Sequence, residues 1–188
     1  TNVADGIVSV VAPVGLDHTD MLGDTLAEIA TEKAGIIKPD GYLISAAQDP
    51  EVATILLDTA RKQNAKYAFE GVEFGVVERA RAVGGQLLTL RGLAGEYPDI
   101  ELPLHGEHQG QNASLALAAV EAFFGGDRAL ARDVVLAGFA QVRSPGRLEM
   151  IRSEPLVVLD AAHNPHGVRA ASTAFKEAFE LSHVHAVV

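Results

Sequence analysis

Apolar residues come first in an unbroken run, not in alternation. "GIVSVVAPV" carries valine and isoleucine at nearly every position, which predicts a buried strand over Gly6–Pro13. A polar stretch follows, "VGLDHTDMLG". The period then changes to that of a helix. In "LAEIATEKAGIIKP", Leu26, Ile29, Ala30 and Lys33 share one face, with Glu28 and Glu32 on the other side. Gly35 and Pro39 stop the helix, and Asp24 is the N-cap expected for a helix over Thr25–Ala34. A second buried strand is predicted over Tyr42–Ala47. An amphipathic helix over Pro50–Asn64 follows, with Val52, Ile55, Leu56 and Ala60 on one side. Strand–helix–strand–helix alternation implies an α/β fold with a parallel sheet.

From Tyr67 to Leu104 the pattern is strand-like throughout: "KYAFEG", "VEFGVVERA", "QLLTLRG" and "DIELPL". Glycine and proline turns separate these pieces, so they are expected as mostly antiparallel strands at the edge of the sheet. Helices are predicted over Gln111–Phe124 and Arg128–Ala140, then a linker at "VRSPGRLE". Two strands, Leu148–Arg152 and Leu156–Asp160, lead to a helix capped by Asn164 with Pro165 at its first position. The closing "HVHAVV" resembles the beginning of a buried strand. With the abrupt apolar opening, it reads as a piece of a longer protein.

Composition narrows the class. The 188 residues include no cysteine, which removes thiolate metal sites, a cysteine nucleophile and disulfides, and fits a reducing compartment. A formal charge of −10 argues against nonspecific nucleic-acid binding and against an anionic membrane. With no signal segment or long uncharged apolar run, a cytoplasmic protein is expected. A monomer is expected as well.

Four stretches carry candidate chemistry. Asp17, His18 and Asp20 follow the first strand, where open α/β sheets bind ligands; a solvated polar loop is the plainer reading. Lys33 sits on an apolar face. Either its stem covers apolar surface while the ammonium reaches water, or it is buried and neutral. A neutral lysine amine can take up carbon dioxide, and the carbamate formed offers Mg²⁺ two hard oxygens. "HGEHQGQNAS" is either a polar cap or a set of amides that read the edge of a base. "SPGRLE" and "VVLDAAHNPHG" place Arg147, Asp160, His163 and Asn164 around a linker and a helix start. This is either an ordinary strand–helix turn or an anion site, with Asp160 for ribose hydroxyls and Arg147 for phosphate. No G-x-x-x-x-G-K-[ST] loop occurs, so an ATP enzyme built on these residues would hold its phosphates mainly elsewhere.

In this order, "LDHTDMLGDTLAEIATEKAGIIKP", "GEHQGQNASLALAA", "PGRLE" and "DAAHNPHG" resemble the Mur ligase superfamily, and within it the folylpolyglutamate synthase / dihydrofolate synthase branch. The resemblance implies part of a central ATPase domain over 1–143, a linker at 144–147, and the start of a Rossmann-like C-terminal domain over 148–188. It implies that ATP phosphorylates the carboxylate of dihydropteroate or of a folate glutamate tail. The amine of L-glutamate then attacks the acyl phosphate. It also implies two Mg²⁺ ions. By the same resemblance His18 is a metal ligand, Lys33 is carbamylated beside that metal, Asn112 contacts ATP at its base, Arg147 contacts its phosphate, Asp160 contacts its ribose, and His163 is a site histidine. The phosphate loop is expected upstream of Thr1, so this piece alone is not expected to turn over ATP. Three other functions fit parts of the pattern: a peptidoglycan-precursor ligase of the same superfamily, a non-catalytic nucleotide-binding module, and a metallohydrolase built on Asp17, His18 and Asp20.

Overall fold

The computed structural model describes residues 2–16, 23–179 and 183–187. Three parallel strands, β1 (Val8–Val11), β2 (Tyr42–Ser45) and β3 (Lys66–Phe69), form the first sheet in that order, with Val10 opposite Ile44 and Ile44 opposite Ala68. Helices α1 (Leu26–Ala34) and α2 (Pro50–Lys62) make the crossovers. Successive strand residues point to opposite faces, and the core follows that rule. Leu43 packs with Ala30, Ala34, Val52 and Leu56 beneath α1 and α2. Ile44 packs with Ala68, Phe74, Leu115 and Ala118 on the other side. Because β2 is buried on both faces, its sequence does not alternate. Truncating Leu56 to alanine in this setting costs about 2–5 kcal/mol.

The strand-rich middle is antiparallel, as expected, but most of it forms a sheet of its own. β4 (Gly75–Ala82), β5 (Gly85–Arg91) and β6 (Glu96–Leu102) pair in that order. "KYAFEG" instead supplies β3, parallel to β2. Helix α3 (Glu107–Phe123) lies between the sheets. Ala113 and Leu117 pack on the antiparallel sheet, while Leu115, Ala118 and Ala122 pack on the parallel one. Packing on two sides accounts for the alanine-rich sequence: small side chains let both sheets approach one helix. Helix α4 (Arg132–Ala140) packs on β6, starting later than the pattern suggests.

After a turn in which the Arg147 amide donates to the Ser144 carbonyl at 3.2 Å, β7 (Glu149–Ser153) and β8 (Leu156–Leu159) form an antiparallel hairpin, and α5 (Pro165–Ala178) follows. Asn164 is the N-cap of α5, its Oδ1 accepting the Gly167 amide at 2.7 Å, with Pro165 in the first turn as expected.

Several local expectations are corrected. The N-cap of α1 is Thr25, not Asp24, because Glu28 closes a reciprocal capping box with Thr25. Helix α3 starts at Glu107: Gly106, at φ 97°, turns the chain just before it, so the polar residues form its first turns. β8, expected as a buried strand ending at Asp160, is mostly half-buried: among the described residues its ladder partner is β7 alone. Residues 183–187 are exposed and form no strand: among the described residues no ladder takes up their backbone groups. No described helix is long and apolar enough to cross a membrane.

Candidate functional site

The carboxyl ends of the parallel strands open into a cleft of about 280 Å³. Ala12 and Pro13 follow β1, Ala46 follows β2 and Glu70 follows β3; all four line it. The first turns of α3 add His108, Gln109, Gln111 and Asn112. The opposite wall is Arg147 from the turn before β7, Asp160 from the end of β8, and Gly167, Ala170 and Ala171 from α5. Three residues singled out in separate motifs, Asn112, Arg147 and Asp160, therefore meet around one space.

Each is held differently. Asn112 Nδ2 donates to Gln109 Oε1 at 3.3 Å, and Gln109 Nε2 lies 3.2 Å from His108 Nε2, so the polar edge of α3 is internally tethered. Asp160 is half-buried and uses both oxygens: Oδ2 accepts the Leu148 amide at 3.0 Å and Oδ1 the Ala162 amide at 2.8 Å. Around Arg147 the turn is fastened at further points. The Gly146 amide donates to Glu149 Oε2 at 2.8 Å, and the Ala161 amide donates to the Gly146 carbonyl at 2.8 Å. Gly146 and Leu148 both take positive φ, 71° and 45°, so the turn depends on these bonds. The Arg147 side chain is exposed and lines both this cleft and a larger one of about 620 Å³. That larger cleft holds neither Asn112 nor Asp160, so the chemistry points to the smaller one. His105, in its wall, packs its ring 5.4 Å from Phe179, and burial lowers its pKa.

The other expected residues are not gathered there. His163 is exposed, its Nδ1 3.1 Å from the Ala161 carbonyl, and it does not line the cleft. Lys33 is exposed, which fits the reading of a stem over apolar surface with the ammonium in water and not that of a buried, neutral amine. Helical spacing gives the direction of a side chain and not the depth of cover. Ile29, Ala30 and Ala34 take the buried positions, and the lysine in the last turn reaches past them. Asp17, His18 and Asp20 lie outside the described residues. Among the described residues no group of three histidine or carboxylate side chains is placed to hold a metal ion.

Glu70 is the residue that sequence reasoning missed. Its Oε1 accepts the Ser114 hydroxyl at 3.1 Å and its Oε2 the Ala47 amide at 3.2 Å, joining β3, β2 and α3 at the cleft floor. The same strand-end rule that selected Asp17 and Asp160 would have selected it, had "KYAFEG" been read as a parallel strand.

An amide pair, a carboxylate and a guanidinium around one cleft match the base, ribose and phosphate of a nucleotide. The start of α5 adds a helix N-terminus facing that space.

Residues 146–188 match the family described as Mur ligase, glutamate ligase domain. The chain is 50% identical to a dihydrofolate synthase/folylpolyglutamate synthase of Mycobacterium tuberculosis, over 96% of this chain and 39% of that protein. It is 32% identical to the Bacillus subtilis protein of the same name, over 100% and 44%. Its fold superposes with a TM-score of 0.90 on Mycobacterium tuberculosis folylpolyglutamate synthase complexed with ADP and AMPPCP, at 51% identity over 95% of this chain and 41% of that one. The TM-score is also 0.90 for an FPGS–AMPPCP–folate complex, at 31% identity over 96% and 44%. The chain is homologous to these synthases and spans about two fifths of the length of the curated relatives it matches.

Proposed function

We propose that this chain supplies one part of the ATP site of a carboxylate–amine ligase. The enzyme adds L-glutamate to dihydropteroate or to the glutamate tail of a folate through an acyl phosphate. The observation that carries the reading is the convergence of Asn112, Arg147 and Asp160 on one cleft at the carboxyl ends of the parallel strands. The homologous synthases, one of them bound to AMPPCP and folate, support the substrate class.

In this reading Asn112, steadied by Gln109, meets the base. Asp160 turns its remaining lone pairs to the ribose hydroxyls, and Arg147 pairs with phosphate oxygens. A boundary at 144–147 would divide a central ATPase portion, 1–143, from the start of a Rossmann-like portion, 148–188, with ATP between them. His18 and a carbamate on Lys33 would hold one of two Mg²⁺ ions, and His163 would act nearby. Magnesium supplies charge neutralisation of the transferred phosphoryl group. An exposed Lys33 is open to carbon dioxide, and a metal is then needed to retain the carbamate. The whole enzyme is read as a cytoplasmic monomer.

The test uses the full-length protein with ATP, Mg²⁺ and L-glutamate, and follows ADP release. Release that depends on dihydropteroate or tetrahydrofolate is the expected result. Release only with a UDP-linked precursor would move the protein to the peptidoglycan branch. Nucleotide binding with no turnover on any carboxylate would leave a binding module.

A further inference from the structure

Helix α5 is held at both ends. Its first turns wall the cleft through Gly167, Ala170 and Ala171. Near its last turn, Glu177 Oε2 accepts Arg79 Nη2 at 2.7 Å and the Glu177 backbone carbonyl accepts Arg81 Nη1 at 2.8 Å. Both arginines stand on β4, two positions apart and therefore on one face of the antiparallel sheet. Carbonyls in the last turn of a helix lack intrahelical partners and carry the negative end of its dipole, so Arg81 meets a ready acceptor.

The connection continues inward. Arg79 Nε donates to Gln86 Oε1 at 2.7 Å, and Gln86 Nε2 donates to the carbonyls of Leu104 at 2.9 Å and Gly106 at 3.0 Å. Gly106 is the N-cap of α3, and its carbonyl also accepts the Gln109 amide at 3.0 Å. A continuous series of hydrogen bonds thus runs from the end of α5 to the start of α3. These two helices supply the facing walls of the cleft. An exposed ion pair contributes little. This one has side chains only 22% and 35% exposed and is anchored to a glutamine that is 2% exposed.

We propose that Arg79, Arg81 and Glu177 form a latch that holds α5 against α3 and keeps the nucleotide cleft assembled. Arg79 and Glu177 are positioning residues that do not touch the ligand. The identity of that ligand as ATP rests on the function proposed above.

The test compares the full-length wild type with Arg79→Gln, Glu177→Gln, the double variant and Arg79→Lys. Two measurements are made. Hydrogen exchange without nucleotide reads the latch directly: both glutamine variants should exchange faster across 165–178 than the wild type. AMPPCP titration reads its consequence. Each single variant should bind about fivefold more weakly, the fraction of assembled cleft having fallen, and the double variant no more weakly than the worse single. The KM for ATP should rise by the same factor with kcat nearly unchanged, and Arg79→Lys should recover part of the loss. Unchanged exchange in folded variants, or additive losses of affinity, would overturn the latch. Faster exchange together with a wild type that does not bind AMPPCP would overturn the nucleotide reading and leave the latch standing.

Discussion

Asp160 accepts the amide of Leu148 at 3.0 Å, so the carboxylate at the end of β8 fixes the backbone directly after Arg147. Its second bond, to the Ala162 amide at 2.8 Å, fixes the approach to α5. One side chain therefore fixes the backbone next to Arg147 and the approach to the helix start that faces the same cleft. Asp160→Asn keeps a single carbonyl oxygen and turns an NH₂ group toward one of these amides. In the full-length protein it should weaken ATP binding about tenfold, the equivalent of one lost charge-assisted bond. Calorimetry with 2′-deoxy-ATP separates the roles. A similar loss with both nucleotides indicates the backbone clamp, and a loss confined to ATP indicates the ribose contact alone.

Stability away from the cleft rests on a sealed pair. Glu121 is fully buried; its Oε1 accepts the Tyr97 hydroxyl at 2.6 Å and its Oε2 accepts the Leu93 amide. The Tyr97 oxygen in turn accepts the Leu130 amide at 2.7 Å. Tyr97→Phe removes one partner from a buried carboxylate and one from a half-buried amide. Urea unfolding should show a loss of about 1–3 kcal/mol, while nucleotide affinity is unchanged.

The same pair gives an alkaline limit. Burial, and then the hydrogen bond to Glu121, push the Tyr97 phenol up to about 12 from 10.0. A folded-state value above the unfolded one means the contribution is complete below pH 10 and is lost as pH rises toward 12. Tyr42, also raised, acts with the same sign. The wild type should therefore lose stability between these limits more steeply than Tyr97→Phe. Equal slopes in thermal melts across that range would remove Tyr97 as the cause.

Gly106 is required twice over. Its φ of 97° disfavours any side chain, and a Cβ there would lie 2.5 Å from Ala174 Cβ and 2.7 Å from the His108 ring. Gly106→Ala should cost about 1–3 kcal/mol in strain. It should also move α5 off α3, so AMPPCP affinity should fall along with the melting temperature.

Lys33→Ala in the full-length protein should abolish ligation with little change in melting temperature, because the side chain is exposed. Added short carboxylates should restore some activity by replacing the oxygens of the proposed carbamate. Full activity in the variant would end the carbamate assignment.

Much of this organisation is legible in the chain because burial on two faces leaves an uninterrupted apolar run, as in β2; β1 carries the same kind of run, but Ile7 and Val10 are exposed, so the strand expected to be buried over Gly6–Pro13 is covered on one face only. The Asn164 cap is legible for a local reason, polar side chain, proline and helix in sequence. What was lost depends on partners that the sequence does not place. Asp24 and Thr25 are both good caps, and only Glu28 decides between them. "KYAFEG" has the composition of either kind of strand; its parallel pairing comes from β2, and with it goes the signal for Glu70. Lys33 lies at the right angle for burial, but what covers the last turn of α1 is a property of the fold and not of the period.

The cleft has its walls in Pro13 and in Ala171, with almost the whole chain between them. During synthesis, both sheets and α3 can pack while Arg147, Asp160 and α5 are still inside or near the ribosome. A nucleotide bound as proposed would then have nothing complete to grip, so it would not template the early core. It stabilises only the finished arrangement. Without its ligand the protein would still form these sheets, but α5 would be less firmly seated and more open to proteases.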